Sequence, residues 1–425
     1  MIVLCGAVGA YAGDLPNHRQ GYITSIDGPQ AFTVDGQLVR CDDKTRLGLV
    51  EPDKTTHTPM TAVELTLGEH VEIEGHRAGG EYIADDVLVA RPPGKDQDIH
   101  GYALTMEAST LQASGDGWRG RALIDGRWMG IDPKTVLEFM SLPPGTIPVN
   151  VWVTYTGKRL ADGGFVLTKA TLAPNSFNED ERVFIAALAD RITPPDLAKH
   201  EAGRIKFPLG HIKLEPDEPG MQRMARVAAK LVPAFQKAMP PGTPGKIGFR
   251  FFVWDKNSAN VGFSFGDGTI VLSKKTLANI ENDDVLAGLL AFQMADILLK
   301  QDFRAAARRK MQGEIMVATT ILAFVPGLSV AALAVSSAAA GAGIYEGIAY
   351  MTPEMLIFGQ DCRVGMRLME DAGLDPKKMP LAFIAAAFPA KKMDAAGDSV
   401  PIGYRVVMQQ LRENYGRLPL LIGPS

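Results

Sequence analysis

Two stretches of the chain resemble each other at a spacing of about 80 to 90 residues, and a duplication of that period limits the first half to a pair of like modules. The first copy runs from Gly21-Tyr22 through FTVDGQLVRCDDKTRL to VEIEGHRAGGEYIADDVLVA. The second opens at Gly101-Tyr102, passes through LIDGRWMGIDPKTVL and closes with VWVTYTGKRLADGGFVLTKATLA. Each copy has an Asp-Gly step, Asp35-Gly36 and Asp125-Gly126, set between alternating apolar and polar residues. Each also has a Lys-Thr step, Lys44-Thr45 and Lys134-Thr135. Glycine takes positive φ freely and Asp tolerates it, so Asp-Gly within period-two alternation reads as a hairpin turn. Five or six short strands in so few residues predict a small closed barrel of OB-like type. The modules are placed at 20–93 and 98–173, with linkers at Arg91 to Lys95 and Ala173 to Ser176.

The two modules resemble the small β modules of unknown function found in tandem in exported bacterial proteins. With 425 residues the chain has room for two or three domains. A formal net charge of -4, and barrels without stacked aromatics among basic residues, give no reason to expect nucleic acid as partner. Three cysteines (Cys5, Cys41, Cys362) make no disulfide framework and no paired metal-ligand spacing. Residues 1–12, MIVLCGAVGAYA, end in the small-residue pattern Ala10-Tyr11-Ala12 but lack a charged start. They read either as a truncated export signal, which would make the protein periplasmic or otherwise exported, or as an apolar strand.

From Asn178 onward the pattern is mostly helical. MQRMARVAAKLVPAFQKAM (221–239) has helical apolar spacing and ends at Pro240-Pro241-Gly242. IGFRFFVW (247–254), VGFSF and TIVLS read as strands around turns at Asn257 to Asn260 and Gly266-Asp267-Gly268. Asn279 to Asn282 offers caps for the helix DDVLAGLLAFQMADILLKQ.

This order of elements, followed by FGQDCRVGMRLMEDAGLDP (358–376) and Pro401-Ile402-Gly403-Tyr404-Arg405, resembles a zinc metallopeptidase of the HtpX or CaaX-prenyl-protease (gluzincin) type. The likeness covers about 180–415 and places a metallopeptidase-like domain at 178–425. It implies a mainly helical domain with a small sheet, which with the two small barrels ahead of it makes an α+β chain. It also implies zinc, a His-Glu-x-x-His helix, a later Glu ligand and an edge strand along which extended substrate lies.

The residues at those positions depart from the family. Its two histidines correspond to Phe292 and Asp296, its catalytic Glu to Gln293, its third ligand to Phe358, and the following Asp to Cys362. A glutamine amide cannot take a proton from zinc-bound water. All seven histidines lie at or before His211, so no other register supplies the motif. His200-Glu201 lacks the second ligand, since Arg204 stands there. Asp296 with Asp361 is a thin shell for a hard cation. No catalytic residue, metal or cofactor is therefore expected.

The expectation for function is a pseudoenzyme, an exported scaffold or regulator that contacts peptides or envelope proteins. Phe263, Phe265, Thr269, Ile270, Val271, Leu272 and Ser273 would form the groove, and Phe292 and Phe358 would fill the metal's place. The alternatives are a hydrolase using other residues, such as Cys362 as nucleophile, and a membrane-anchored structural subunit. The second rests on the uncharged stretch 315–344, which reads as a buried helical hairpin or a membrane segment.

Overall fold

The computed structural model describes residues 18–28, 30–34, 37–50, 58–65, 69–78, 81–90, 97–160, 164–207, 210–255, 262–311, 353–387, 407–408, 410–411 and 414. Several expected features lie outside them: the segment 1–12, the turns Asp35-Gly36 and Asn257 to Asn260, the linker 91–95, the stretch 315–344, and Pro401 to Arg405. Two compact units emerge, one of Met1–Pro93, Ala332–Met351 and Ala390–Ser425, the other of Gly94–Ala331 and Thr352–Pro389. The fold is mixed α+β.

In the first unit, β1 (His18–Gly28), β2 (Ala31–Val34), β3 (Gln37–Val50), β4 (Thr58–Pro59), β5 (His70–Ala78) and β6 (Glu81–Ala90) form one sheet. Its order is β2-β1-β5-β6-β3-β4, and β2 pairs with β3 as well as β1, curling the sheet into a half-barrel. Alternation sends Ile23, Phe32, Val39, Val71, Ile73, Val87 and Val89 into one apolar core.

The second unit begins with the like module. Its strands are β7 (Gln97–Leu104), β8 (Ser109–Thr110), β9 (Gln112–Ser114), β10 (Gly117–Ile124), β11 (Arg127–Ile131), β12 (Val136–Phe139), β13 (Thr146–Ile147), β14 (Val151–Arg159) and β15 (Phe165–Pro174). The main order is β7-β14-β15-β11-β10-β9, with β12 also paired to β15. The duplication is visible in a shared turn. In the first module Asp42 N–H donates to Thr45 Oγ1 at 2.8 Å, Lys44 N–H to Asp42 Oδ1 at 2.9 Å, and Thr45 Oγ1 to Ala84 O at 2.6 Å. In the second the same bonds join Asp132 N to Thr135 Oγ1, Lys134 N to Asp132 Oδ1, and Thr135 Oγ1 to Leu167 O, at 3.1, 2.8 and 2.9 Å. Local side-chain bonds of this kind divert the backbone from a straight ladder. β3 therefore jumps register against β6 between Cys41 and Arg46. The corresponding strand of the second module is split into β11 and β12.

The rest of the second unit holds a sheet ordered β16-β17-β18-β19-β21-β20. Its strands are β16 (Ile192–Thr193), β17 (Gly203–Phe207), β18 (Gly210–Glu215), β19 (Arg250–Trp254), β20 (Gly262–Ser264) and β21 (Thr269–Ser273). Around it lie α1 (Glu179–Ala189), α2 (Glu218–Leu231), α3 (Ala234–Ala238), α4 (Lys274–Asn279), α5 (Asp283–Leu298), α6 (Gln301–Met311), α7 (Pro353–Asp371) and α8 (Lys378–Ala387). The single helix expected over 221–239 is broken. Val232 turns extended (ψ 121°) before Pro233, whose ring disfavours helical geometry in the residue before it and which has no N–H to donate. α5 starts at the expected cap, where Asn282 Oδ1 accepts from Asp284 N–H at 2.7 Å and Val285 N–H at 3.3 Å.

Candidate functional site

α5 is buried around most of its circumference, from Leu286 to Leu298, so it is the centre of this part of the unit. Two glycines let its neighbours close on it. A Cβ on Gly288 would stand 2.7 Å from Met379 Cα of α8, and one on Gly365 of α7 would stand 3.0 Å from Phe292 N. α5 and α7 thus meet nearly backbone to backbone.

At that meeting Phe292 and Phe358 lie ring to ring, with centroids 4.6 Å apart. Phe383 of α8 completes the group, edge-on to Phe292 at 5.2 Å and tilted to Phe358 at 5.6 Å. Three mutually contacting rings gain both apolar burial and quadrupole geometry. Their faces offer no lone pair to a zinc ion, so these positions do not fit the metal that the family likeness implies. Gln293, the next residue on α5, is buried. Among the described residues, no three His, Cys, Asp or Glu side chains come together in a metal-holding group.

Asp296, one turn further along α5, accepts from Ser264 Oγ on β20 at 2.8 Å. Burial pushes its pKa up to about 6, while the Ser264 hydroxyl and the Arg304 charge pull it down. Two more carboxyls share this interior. Asp302 accepts from Gly266 N–H at 2.8 Å, and Asp361 from Gln301 Nε2 at 3.1 Å. Both are held well above the usual carboxylate range, by desolvation first and by the negative charge of Asp296 second.

Sequence reasoning missed the hydrogen-bond network that begins at Gln301. Its amide also donates to Gln360 Oε1 at 3.0 Å, which takes a second bond from Arg304 Nη1 at 3.2 Å. Gln360 Nε2 then reaches the β module, donating to Asp125 Oδ1 at 3.1 Å and to Tyr102 O at 3.0 Å. Asp125 is the first residue of the Asp-Gly turn between β10 and β11, with φ 58°. It is 1% exposed, and its Oδ2 accepts from Arg363 Nη2 at 2.5 Å and Tyr155 Oη at 2.9 Å. Burial, and then the charge of Asp125, hold the Tyr155 phenol above its ordinary range. Beside this seam Arg304 lies 5.0 Å over the Tyr102 ring and 5.5 Å over Trp152, and those two rings stack at 4.6 Å. The Asp-Gly pair gave the turn, but its partners stand more than two hundred residues away in sequence, and no local pattern announces them.

The expected groove needs correction in one respect. TIVLS, taken as the substrate-facing edge strand, is interior. β21 pairs in parallel with β19 from Thr269 to Ser273 and antiparallel with β20 through Ile270 to Leu272. All five of its side chains are buried. A short turn brings the chain from β20 back along β21, so β20 takes the edge. Thr269 Oγ1 accepts from Arg250 Nη2 at 3.0 Å, and Ser273 caps α4 by accepting from Thr276 N–H at 3.0 Å. Phe263 and Phe265 are core residues, edge to face with each other at 5.3 Å, and Phe263 meets Trp254 at 5.6 Å.

Cys362 is fully buried, and desolvation followed by the Asp361 charge pushes its thiol well above the ordinary range. Such a thiol is inert rather than nucleophilic. His200 and His211 are exposed. Among the described residues no helix is long and apolar enough to cross a membrane.

Compared with known proteins, residues 20–87 match a family described as a domain of unknown function (DUF5666). No curated protein matches the chain.

Proposed function

We propose that the helical part of the second unit is a catalytically silent relative of the gluzincin metallopeptidases. In this reading it serves an exported protein as a peptide- or protein-binding scaffold or regulator, and both β modules are OB-like barrels attached to it. The observation that carries the reading is that Phe292 and Phe358, at two of the three positions where the family likeness calls for zinc ligands, pack against each other and against Phe383. Asp296 supports it, because its carboxylate is engaged by Ser264 and not held open for a metal. Substrate-like segments would then be met by main-chain pairing at the β20 edge, with Phe263, Phe265 and β21 as the wall behind it.

The test is elemental analysis of untagged protein after dialysis against excess zinc, paired with hydrolysis of unfolded casein with and without chelator. Absence of stoichiometric zinc together with no hydrolysis is expected. One tightly held zinc per chain with chelator-sensitive cleavage would refute the proposal. Slowed amide exchange at Gly262 to Ser264 in the presence of an extended peptide is the expected sign of binding. A hydrolase working through Cys362 is disfavoured by that thiol's burial.

A further inference from the structure

The duplicated modules differ at one edge, and the difference names an occupant. In the first module the tail of β3 is covered on its outer side by β4, with Gly48 opposite Pro59 and Leu49 opposite Thr58. Met60 N–H donates to Leu47 O at 3.0 Å, and the Met60 side chain packs onto the module's core. Residues 47 and 49 thus point their backbone outward, while 46, 48 and 50 alternate toward β6. The counterpart in the second module is β12. It pairs in parallel with β15 from Val136 opposite Lys169 to Phe139 opposite Leu172. Met140 N–H continues inward to Leu172 O at 2.8 Å, so the outward backbone belongs to Leu137 and Phe139.

No counterpart of β4 covers that side among the described residues. The segment that follows β12 instead forms β13, which pairs with β8. Val136 and Met140 stand 53% and 58% exposed along the open edge. Natural sheets ordinarily blunt an edge with lysine, proline or a covering strand, and an apolar edge left open invites pairing.

We infer that the β12 edge of the second module takes an extended polypeptide segment from a partner protein, an addition in trans of what Thr58 to Met60 do in cis in the first module. The template specifies the chemistry: a few extended residues with an apolar side chain such as Met placed over Leu137 and Phe139. A second copy of the chain is the poorer occupant. Antiparallel pairing of two β12 strands about Glu138 would crowd two Glu138 carboxylates, each already held by Lys169 at 2.8 Å and Thr171 at 2.7 Å, directly against each other across the ladder. This edge shares no residue with the proposed silent peptidase site, so either can fail without the other.

The test uses fluorescein-labelled octapeptides copied from Thr55–Ala62 (TTHTPMTA), with and without apolar replacements at the threonines, titrated into the full chain. Binding is expected, together with slowed amide exchange at Leu137 and Phe139. The variant Val136→Lys/Met140→Lys should weaken that binding by about tenfold or more, because edge lysines oppose strand addition. Both positions are exposed, so circular dichroism should be unchanged, and Val183→Lys on α1 is the control that should bind normally. Binding that survives Val136→Lys/Met140→Lys, protection confined to Gly262 to Ser264, or no binding by any octapeptide would overturn the inference. So would a concentration-dependent dimer abolished by the same variant, which would make the occupant a second copy.

Discussion

The Asp125-Gly126 turn offers a controlled measure of how firmly the β module is held to α7. Gly126 has φ 69°, and a Cβ there would lie 2.6 Å from the carbonyl oxygen of Arg363 and 2.7 Å from its carbonyl carbon. Both obstacles are backbone, so Gly126→Ala cannot be relieved by a rotamer change. Gly115, in the turn between β9 and β10, has φ 60°, and a Cβ placed there would meet nothing within 4 Å. Gly115→Ala therefore carries only the left-handed backbone penalty, about 1–2 kcal/mol. Gly126→Ala carries that penalty plus an overpacking term of about 1–3 kcal/mol. The displaced turn also drags Asp125 from Arg363 and Gln360, now 2.5 and 3.1 Å away. The difference between the two variants should be about 2 kcal/mol or more. Urea titrations followed by tryptophan fluorescence and far-ultraviolet circular dichroism, compared on the same transition, give that difference. Equal destabilisation by the two substitutions would refute the tight seam.

Four further outcomes are expected. Breaking the buried pair with Arg363→Met should cost about 3–5 kcal/mol, and adding Asp125→Asn, which keeps the turn, should recover part of that in a double-mutant cycle of urea midpoints. Asp296 has a folded pKa raised to about 6, so its contribution to stability is fully present below the ordinary carboxylate pKa and is lost as pH rises through about 6. Wild type should accordingly lose on the order of 2 kcal/mol relative to Asp296→Asn between pH 4 and pH 7, read from paired denaturation curves. Phe292→Ala should destabilise by about 2–4 kcal/mol by opening a cavity under Phe358 and Phe383 without creating zinc binding, seen as a lower Tm and an unchanged metal content. Cys362, and Cys41 with its thiol pushed up to about 11, should resist thiol reagents in the folded protein and react once it is unfolded, as mapped by mass spectrometry.

Local chemistry made much of the architecture readable. Asp125-Gly126 announced its turn because few residue pairs accept two successive positive φ values, and Asn282 announced the start of α5 through its side-chain cap. The repeated Lys-Thr step marked a shared turn, although the Asp three residues before each threonine is what makes it recur. Position within the sheet was not readable. TIVLS carries the same apolar run whether it is an edge or an interior strand, and only the pairing of β20 along its outer side decided the matter. The break at Val232-Pro233 was marked by the proline, but apolar spacing continuing across it read as a single helix. Arg304, Gln301, Gln360 and Arg363 read as ordinary charged and polar helix residues, since Gln360, Arg363 and the face of Arg304 meet the β module, and Gln301 meets Gln360 and Asp361 some sixty residues on.

Those partners explain how the interior tolerates three carboxyl groups without a matched set of cations. Ser264, the Gly266 amide and Gln301 each give one carboxyl a neutral hydrogen bond, which offsets part of the desolvation cost without adding charge. Burial favours the protonated forms of Asp302 and Asp361, both of which are pushed well above the usual carboxylate range. Arg304 lies close enough to lower Asp296 and Asp361, donates to Gln360 Oε1 and Leu299 O, and lays its flat face over Tyr102 and Trp152. The full ion pair of this seam, Arg363 with Asp125, sits where the β module meets α7. Charge in this region therefore serves to fix the module in register, while Phe292, Phe358 and Phe383 form an apolar cluster and Asp296 is hydrogen-bonded to Ser264.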